Sequence, residues 1–456
     1  MRVFLTNNIF FPLADFIRKR NVIKNYKLLL KSQWFNKDEL GKMQEKRLRN
    51  ILLHCYVNVP FYKERMDKAG FDINSKDFRE ELEKIPVLER AEIRQAFAAK
   101  TIQAKNFDDY QTIEQKTSGS STGEPLSTIE DNLTADLGRA SFYRGLKWAN
   151  WNLGEPAVKL WGQRSATPNT SMKLANTIIN WETFNAFSMD DEVFTKFYLF
   201  LCTRKVKHIY SYVSTLQQFI KYIESNKLKL PPIKSIVTTA ELLTNDAKEQ
   251  IEKTFNTKVF NGYACGEING IAYQCIHRAG FHVSEERCIV EVVNDKGELL
   301  PYGEYGRLAV TDLYNHAMPL IRYVNGDEGV LTDEPCACGR NLIRIKEIAG
   351  RTSDIIDGLN NKKVHSTYFH VIFIPKLDWQ KKYGLKKYQF IQETNDTFKV
   401  IMDMDTIPPQ HEIVEMKNIL SDQLGPMKII FSTDTNDFEH SSGGKFAWAI
   451  NKTRKK

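Results

Sequence analysis

The sequence predicts a multidomain α/β protein, and three observations support this prediction. The chain of 456 residues exceeds the usual size of one domain. Hydrophobic residues make up 42% and charged residues 26% of it, as in ordinary globular proteins, which excludes disordered and fibrous classes. From residue 101 onwards, helical patterns alternate with short apolar runs, which is typical of strands joined by crossover helices.

The first hundred residues are predicted to form a helical opening. Apolar residues recur at helical spacing in two long stretches, 37–57 and 80–99. The stretch 1–17 is also apolar, and five basic residues follow it. These basic residues are Arg18, Lys19, Arg20, Lys24 and Lys27. This pattern favours a helix packed on its own domain, and a weak contact with an anionic membrane surface is the alternative.

Residues 101–280 are predicted to form the α/β core. Runs 157–161 and 235–239 resemble strands, and stretches 133–148 and 214–225 have helical periodicity. Residues 281–350 switch to β-branched segments at 288–293 and 306–311, which predicts a small β subdomain, either an antiparallel sheet or a small barrel. Residues 351–456 are predicted to form a small α+β domain, with a helix at 409–424 and a strand at 427–432.

Charge and cysteine usage limit the class of protein. The net charge of +8 arises from 64 basic and 56 acidic residues spread along the chain, so nucleic-acid binding is not expected. No apolar run is long enough to cross a bilayer, and no small-residue cleavage site follows the apolar start. Seven cysteines, an odd number, favour the reducing cytoplasm. A dimer is possible.

The most informative motif is the hydroxyl- and glycine-rich run 117–125. Glycine geometry leaves backbone N–H groups available as donors, and these groups together with rotatable hydroxyls can surround a phosphate. The run lacks the lysine of a nucleotide-binding P-loop, and a flexible linker is its alternative interpretation. Its candidate phosphate-binding residues are Thr117, Ser118, Gly119, Ser120, Ser121, Thr122 and Gly123.

Four further motifs lie downstream. Tyr263 and Glu267 follow a strand-like run, where a tyrosine can stack on a base and a glutamate can hold Mg²⁺. Asp327 follows an Asn-Gly pair and can accept the hydroxyls of a ribose, although a plain β-turn explains this stretch better when it is considered alone. Arg351 lies at the predicted domain boundary, and Lys445 follows a glycine-rich turn that is otherwise interpreted as a flexible basic tail.

Together and in this order, the five motifs resemble the adenylate-forming superfamily of acyl-CoA synthetases. Within it they resemble the phenylacetate-CoA ligase branch, including the CapK-like proteins of capsular polysaccharide gene sets. The resemblance extends over essentially the whole chain and includes the segment 56–62. It implies a large N-terminal adenylate-forming domain, 1–350, and a small mobile C-terminal domain, 351–456, that carries the catalytic lysine.

The resemblance also implies the reaction and its residues. An ATP- and Mg²⁺-dependent ligase would form an acyl-adenylate and then a thioester with coenzyme A. Lys445 and Glu267 would be catalytic, with Lys445 bridging carboxylate and α-phosphate and Glu267 coordinating Mg²⁺. Residues 117–123 would wrap the phosphates of ATP. The other residues implied to bind the nucleotide are Ala240, Glu241, Tyr263 against adenine, Asp327 at the ribose, and Arg351.

Three departures from the family pattern bear on activity. Glu124 stands where many relatives have lysine, Gly266 replaces a hydroxyl residue, and Ser353 replaces a common aspartate. They support a second hypothesis, that of a catalytically silent homologue acting as a binding protein. A third hypothesis transfers the acyl group to an amine of a sugar or lipid-linked precursor. The acid pocket is expected near residues 210–214, Trp161 and Ala240, and its aromatics slightly favour an aryl acid over an aliphatic or amino acid.

A second candidate site, for a metal ion, does not involve ATP. Cys275, His282, Cys336 and Cys338 form a Cys₃His set of zinc-ligand types, with His277 as a rival for the fourth ligand. Their irregular spacing leaves buried, unliganded cysteines as the alternative. The same branch often has a cysteine, a histidine and a C-x-C at matching places, so the resemblance implies a structural zinc site.

Overall fold

The predicted α/β class is confirmed by the computed structural model. The structure describes residues 1–116, 126–162, 170–186, 191–241, 243, 245–348, 355–360, 362–365, 368–369, 373–439 and 449–453. Within these residues, no helix combines the length and the apolar character that a membrane span requires.

The helices, in chain order, are α1 (Arg2–Leu5), α2 (Phe11–Arg18), α3 (Val22–Ser32), α4 (Lys37–Asn58), α5 (Pro60–Lys68), α6 (Phe78–Lys84), α7 (Arg90–Ala98), α8 (Asn132–Trp148), α9 (Thr170–Ile179), α10 (Asp191–Thr203), α11 (Val213–Ser225), α12 (Asn245–Phe255), α13 (Ile374–Leu377), α14 (Trp379–Tyr383) and α15 (Gln410–Leu424). A π-helical segment, Thr6–Phe10, joins α1 to α2.

The strands, in chain order, are β1 (Leu88–Glu89), β2 (Thr112–Lys116), β3 (Ser127–Asp131), β4 (Ala157–Trp161), β5 (Trp181–Asn185), β6 (His208–Ser211), β7 (Ser235–Thr239), β8 (Val259–Tyr263), β9 (Ala272–Gln274), β10 (Phe281–Val283), β11 (Cys288–Val293), β12 (Tyr305–Asp312), β13 (Tyr323–Thr332), β14 (Arg344–Ile348), β15 (Ile355–Asp357), β16 (Lys363–His365), β17 (Lys387–Gln392), β18 (Thr397–Asp403), β19 (Lys428–Ser432) and β20 (Ala449–Asn451).

The helical opening is confirmed in one stretch and corrected in another. Helix α4 covers the predicted stretch 37–57 and begins at a reciprocal cap, in which Asn36 and Glu39 each accept the other's backbone N–H. The prediction of one continuous helix over 80–99 is wrong. Pro86 lies between α6 and α7, and proline disfavours helical geometry at the residue before it. The interruption contains β1, which pairs with β13.

The largest sheet among the described residues has 12 strands, with a parallel and an antiparallel part. The parallel part has the order β5-β4-β6-β7-β8, and helices connect its consecutive strands. The predicted strands 157–161 and 235–239 are β4 and β7, which confirms them. All carboxyl ends of these strands meet at one edge, where α/β proteins bind ligands.

The antiparallel part continues the same sheet from β9 to β11. Strands β11 and β12 pair on either side of a turn, in which the Gly297 amide donates to the Asn294 carbonyl. Of the two alternatives for this region, an antiparallel sheet is correct: it is joined to the parallel strands through β8 and β9 and does not form a barrel of its own.

The C-terminal elements have a core of their own. Strands β17 to β20 form a four-stranded sheet, and Phe390, Val400 and Met416 belong to a hydrophobic cluster that contains only residues beyond 355. The predicted helix 409–424 and strand 427–432 are confirmed as α15 and β19. The proposed boundary at 350 lies outside the described residues and stays a prediction.

Candidate active site and cysteine–histidine cluster

Several predicted nucleotide-binding residues lie at the carboxyl edge of the parallel strands. Ala240 and Glu241 directly follow β7, and Tyr263 is the last residue of β8. Because neighbouring parallel strands end at the same edge, these residues converge although they are distant in sequence. The edge is the place where a nucleotide site is expected in a sheet of this kind.

Tyr263 and Asp327 are in direct contact. The Tyr263 hydroxyl donates to Asp327 Oδ2 at 2.9 Å and accepts from Asn325 Nδ2 at 2.7 Å. Asn325 Oδ1 in turn accepts the Asp327 backbone N–H at 3.0 Å. Burial, followed by the nearby Asp327 charge, raises the pKa of Tyr263 well above its ordinary value, so the hydroxyl keeps its proton and donates.

The Asn325-Gly326-Asp327 segment is a bulge within β13, where the sequence suggested a turn. Residues Val324 and Glu328 pair with Ala309 and Arg307, so three residues of β13 lie opposite a single residue of β12. Gly326 has φ 92°, a left-handed value that glycine adopts without a steric penalty. Bulges redirect side chains, and this one places the Asp327 carboxylate at the Tyr263 hydroxyl. Asn325 was missed as a site residue because it resembled half of an ordinary Asn-Gly turn.

Glu267 lies in the loop after β8 and is buried. Its Oε1 accepts no hydrogen bond from the described residues, and the Arg90 guanidinium lies 3.3 Å away without hydrogen-bond geometry. A buried carboxylate oxygen with unused acceptor capacity fits the oxygen-ligand chemistry of Mg²⁺. Sequence reasoning missed Arg90, because only the pairing of β1 with β13 brings the start of α7 to this loop.

Glu241 connects two loops of the same edge. Its carboxylate accepts the Ser214 backbone N–H at 2.7 Å and the Ser214 hydroxyl at 2.6 Å, in the first turn of α11. Burial raises the pKa of Glu241, although the Ser214 hydrogen bonds oppose this shift. The preceding residue, Ala240, has φ 65°, a strained value for a residue with a side chain. The carboxylate is therefore used within the protein, and a nucleotide contact by Glu241 stays a prediction.

The expected acid pocket contains a stacked aromatic group and a lysine. Trp161 stacks on Tyr212 at 4.8 Å and on Tyr210 at 5.8 Å. Lys159 Nζ lies 4.2 Å from the centre of the Trp161 ring. Within the described part of the chain, Lys159 forms no ion pair. Burial, followed by the charge of Arg139, lowers the pKa of Lys159 to about 8. Nothing in the sequence marked this lysine.

The four predicted zinc ligands come together in space. The ligand atoms of Cys275, His282, Cys336 and Cys338 all lie within 4.8 Å of one another. Cys275 follows β9, His282 lies in β10, and the two other cysteines follow β13. His277 is exposed and lies outside this group.

The geometry of this cluster fits zinc. Zinc–sulfur bonds of about 2.3 Å in a tetrahedron separate neighbouring sulfurs by about 3.8 Å. The Cys275 and Cys336 sulfurs are 3.8 Å apart, and Cys338 Sγ lies 3.3 Å from His282 Nε2. Burial, followed by the charge of Arg340, lowers the pKa of His282 to about 3, so its ring is neutral near pH 7, as metal binding requires.

The remaining predicted residues lie outside the described part of the chain. They are Thr117, Ser118, Gly119, Ser120, Ser121, Thr122, Gly123, Glu124, Arg351, Ser353 and Lys445. The strands that flank the phosphate-binding run are described: Lys116 of β2 pairs with Ser127 of β3, so the run connects two antiparallel strands.

The chain resembles known ligases in sequence and fold. No protein-family model matches it. It is 30% identical over 346 residues to a phenylacetate-coenzyme A ligase of Thermus thermophilus, covering 71% of this chain and 73% of the relative. It is 23% identical over 427 residues to a protein named CapK from Staphylococcus aureus, covering 91% and 90%. The fold matches that of 2-hydroxyisobutyryl-CoA ligase, solved with 2-HIB-AMP and CoA, with a TM-score of 0.65, 16% identity and coverage of 93% and 92%. The chain therefore belongs to the phenylacetate-coenzyme A ligase family and is an adenylate-forming ligase.

Proposed function

We propose that this protein activates a carboxylic acid with ATP and Mg²⁺ as its acyl-adenylate and transfers the acyl group to coenzyme A. The contact between Tyr263 and Asp327 carries this proposal, because it assembles two predicted nucleotide-binding residues at the ligand-binding edge of the sheet. The name of the Thermus relative and the CoA complex of the structural neighbour support a thioester product.

Each described site residue has a role that its surroundings support. Asp327 would accept the ribose hydroxyls, held in place by Tyr263 and Asn325. Tyr263 would present its ring to adenine. Glu267 would hold Mg²⁺, which supplies positive charge at the phosphates when it is bound. Ala240 and Glu241 would line the nucleotide site beside them.

Residues outside the described ranges complete the proposed site. Residues 117–123 would grip the β- and γ-phosphates, which leave as pyrophosphate. Arg351 would assist at the domain junction, and Lys445 would neutralise the charge that develops as carboxylate attacks α-phosphate. A small mobile C-terminal domain, 351–456, would bring Lys445 to the site and then exchange it for a surface that admits the thiol.

We propose an aryl acid as the substrate. The stack of Trp161, Tyr210 and Tyr212 supports this, because flat aromatic groups pack well against stacked rings. A short aliphatic acid and an amino acid are the alternatives, and pyrophosphate exchange with a panel of acids tests all three.

We also propose that the Cys₃His cluster holds a structural zinc ion. Four protein ligands would close the coordination sphere, as in structural rather than catalytic zinc sites. The ion would tie the loop after β13 to β9 and β10. The other four cysteines, all within the described residues, also form no disulfide, which supports a reducing compartment such as the cytoplasm.

A second candidate function is transfer of the acyl group to an amine of a sugar or lipid-linked precursor. The similarity to CapK favours it, because that alignment extends over 91% of this chain. A catalytically silent binding protein is the third possibility, motivated by Gly266 beside Glu267 and by Glu124 and Ser353.

Pyrophosphate exchange tests the proposal. Labelled pyrophosphate should enter ATP in the presence of Mg²⁺ and one acid of a panel that spans aryl, aliphatic and amino acids. Lys445→Ala should abolish this exchange, while Lys428→Ala, at an exposed lysine of the same C-terminal region, should not. Exchange with no acid, despite ATP binding, would favour the silent protein. With the active acid identified, mass spectrometry distinguishes a CoA thioester from an amide formed with an added amino sugar.

A further inference from the structure

The first helical segment packs on the protein through one side, which carries Thr6, Asn7 and the buried Phe11. Residues 2–18 form a rod made of α1, the π-helical segment and α2. The Thr6 hydroxyl donates to the Ile178 carbonyl at 3.2 Å, and Asn7 Nδ2 donates to the Leu153 carbonyl at 2.9 Å. Gly154 fits closely here, since a Cβ at this position would lie 2.7 Å from Thr6 Oγ1. These contacts fix which side of the rod faces inwards.

The opposite side of the rod is apolar and exposed. We call Phe4, Ile9, Leu13, Phe16 and Ile17 the outer apolar face; their exposed fractions are 64%, 47%, 55%, 82% and 70%. Steps of five residues across the π-helical segment and of three or four along α2 place these side chains in one stripe. A surface helix of a globular protein usually has the reverse orientation, so this face needs an apolar environment from outside the described protein.

Basic residues lie close in sequence to the outer apolar face. Between residues 1 and 36 the sequence has seven basic residues and one acidic residue. The basic residues are Arg2, Arg18, Lys19, Arg20, Lys24, Lys27 and Lys31. The acidic one, Asp15, is buried and accepts the Ile23 backbone N–H at 2.7 Å. Lys19, Lys24 and Lys27 are exposed, and helix α3, which carries Lys24 and Lys27, packs against α2.

We propose that the outer apolar face and its basic residues bind the surface of an anionic phospholipid bilayer. Aromatic and aliphatic side chains beside lysines are the composition of helices that lie in the lipid interface. The apolar groups would enter the boundary of the acyl chains while the lysines contact the headgroups. A second copy of the chain fits less well, because a symmetric contact through this face would bring two basic regions together.

The position of the rod is compatible with a membrane-bound protein whose active site stays accessible. Its anchoring residues Leu153 and Ile178 precede β4 and β5, so the rod lies at the amino-terminal edge of the parallel strands. The candidate active site lies at the carboxyl edge. A bilayer that contacts the rod would leave the carboxyl edge accessible to substrates. Membrane binding by the rod also does not depend on which acid or acceptor the protein uses.

Vesicle cosedimentation of the full chain tests this inference. The protein should bind vesicles that contain phosphatidylglycerol, bind pure phosphatidylcholine vesicles far more weakly, and dissociate as the salt concentration rises. The combined variant Leu13→Ser, Phe16→Ser and Ile17→Ser should lower partitioning by at least about tenfold. The combined variant Lys19→Gln, Lys24→Gln and Lys27→Gln should remove the preference for the anionic lipid.

Matched variants exclude an effect on folding. The double variant Ile407→Ser and Val414→Ser removes exposed apolar side chains that are distant in sequence from residues 2–18. It should leave partitioning into vesicles unchanged. Each variant should keep the wild-type unfolding temperature and pyrophosphate exchange, because all these side chains are exposed. Absence of wild-type binding to phosphatidylglycerol vesicles, or binding that the serine variant retains, overturns the inference. A dimer that the serine variant dissociates, without lipid binding, would assign the face to a second copy.

Discussion

The Tyr263 hydroxyl lies 2.9 Å from Oδ2 of Asp327, although the two residues are 64 positions apart in the chain. The contact joins the last parallel strand to the bulge of β13 in the antiparallel part of the sheet. Asn325 completes the arrangement by donating to the same hydroxyl. The Tyr263 hydroxyl therefore contributes to the orientation of the Asp327 carboxylate.

Tyr263→Phe should raise the KM for ATP about tenfold while changing kcat less. The substitution keeps the ring for adenine but removes a hydrogen bond to a charged carboxylate, which is worth about 1.5 kcal/mol. Pyrophosphate exchange at varied ATP concentration measures this. Tyr305→Phe is the matched control, since its hydroxyl donates to Glu328 Oε2 at an exposed site. An unchanged KM in Tyr263→Phe would contradict the proposed positioning of Asp327.

Glu267→Gln should raise the Mg²⁺ concentration needed for half-maximal exchange at least about tenfold, because the amide keeps the shape but loses the negative charge. Arg90→Gln removes the neighbouring guanidinium and should not raise that concentration, since the carboxylate stays. If Glu267 served only to pair with Arg90, both variants would lower the unfolding temperature and neither would change the Mg²⁺ requirement.

The purified protein should contain one zinc ion per chain. Removing it with a chelator should lower the unfolding temperature, because three thiolates and a ring lose the cation that holds their loops together. Elemental analysis and thermal unfolding measure the two effects. Cys338→Ser should lower the zinc content, whereas Cys202→Ser, at an exposed cysteine, should not. Full stability of a zinc-free protein would rule out a structural role for the metal.

The free energy of unfolding should fall as the pH decreases from 6.5 towards 4. The buried His208 ring contacts Glu155 Oε2 at 3.0 Å and Ser235 Oγ at 2.8 Å. Burial lowers the pKa of His208 from 6.5 to about 4, although the charge of Glu155 opposes this shift. His208 therefore gains a proton below pH 6.5 in the unfolded chain but only below about pH 4 in the folded protein. This difference lowers the stability of the native state by on the order of 3 kcal/mol.

Glu155 adds a second loss at lower pH. Burial would raise its pKa, but the hydrogen bond from the Asn152 backbone amide, followed by the charge of His208, lowers it to about 2. Its stabilising effect is present above pH 4.5 and disappears as the pH falls towards 2.

Denaturant unfolding measures the free energy of unfolding across this pH range. Between pH 6.5 and 4, that free energy should change less with pH in His208→Gln than in the wild type. The exposed His411→Gln is the control, and equal slopes in wild type and His208→Gln would contradict the assignment.

Lys159→Met should change the choice among acids. A positive charge beside Trp161 would favour an acid that carries a second anionic group, and Met keeps much of the side-chain volume without the charge. We expect kcat/KM for such an acid to fall at least about tenfold relative to phenylacetate. In the wild type this preference should weaken above pH 8, where Lys159 loses its proton. Lys253→Met, at an exposed lysine, is the control, and an unchanged ratio in Lys159→Met would place the amine outside the acid pocket.

Local patterns predicted several helices and strands of the secondary structure. The strands 157–161, 235–239 and 288–293 were predictable because apolar residues and turn signals follow one another within a few positions. The helix over 80–99 failed because apolar periodicity outweighed Pro86 in the prediction, whereas the chain uses that interruption to add β1 to the sheet. The order of the motifs was enough to indicate the family, which the Thermus relative confirms.

The sequence by itself determined the α/β class, the position of several helices and strands, the family and the residue types of both sites. Only the tertiary structure decided that Asn325 supports Tyr263, that Arg90 faces Glu267, and that His282 rather than His277 joins the three cysteines. It also decided that the first helical segment exposes a stripe of apolar side chains. The physical reason is distance along the sequence. Propensity and periodicity act over a few residues, whereas strand register and helix packing bring together side chains that no local pattern relates.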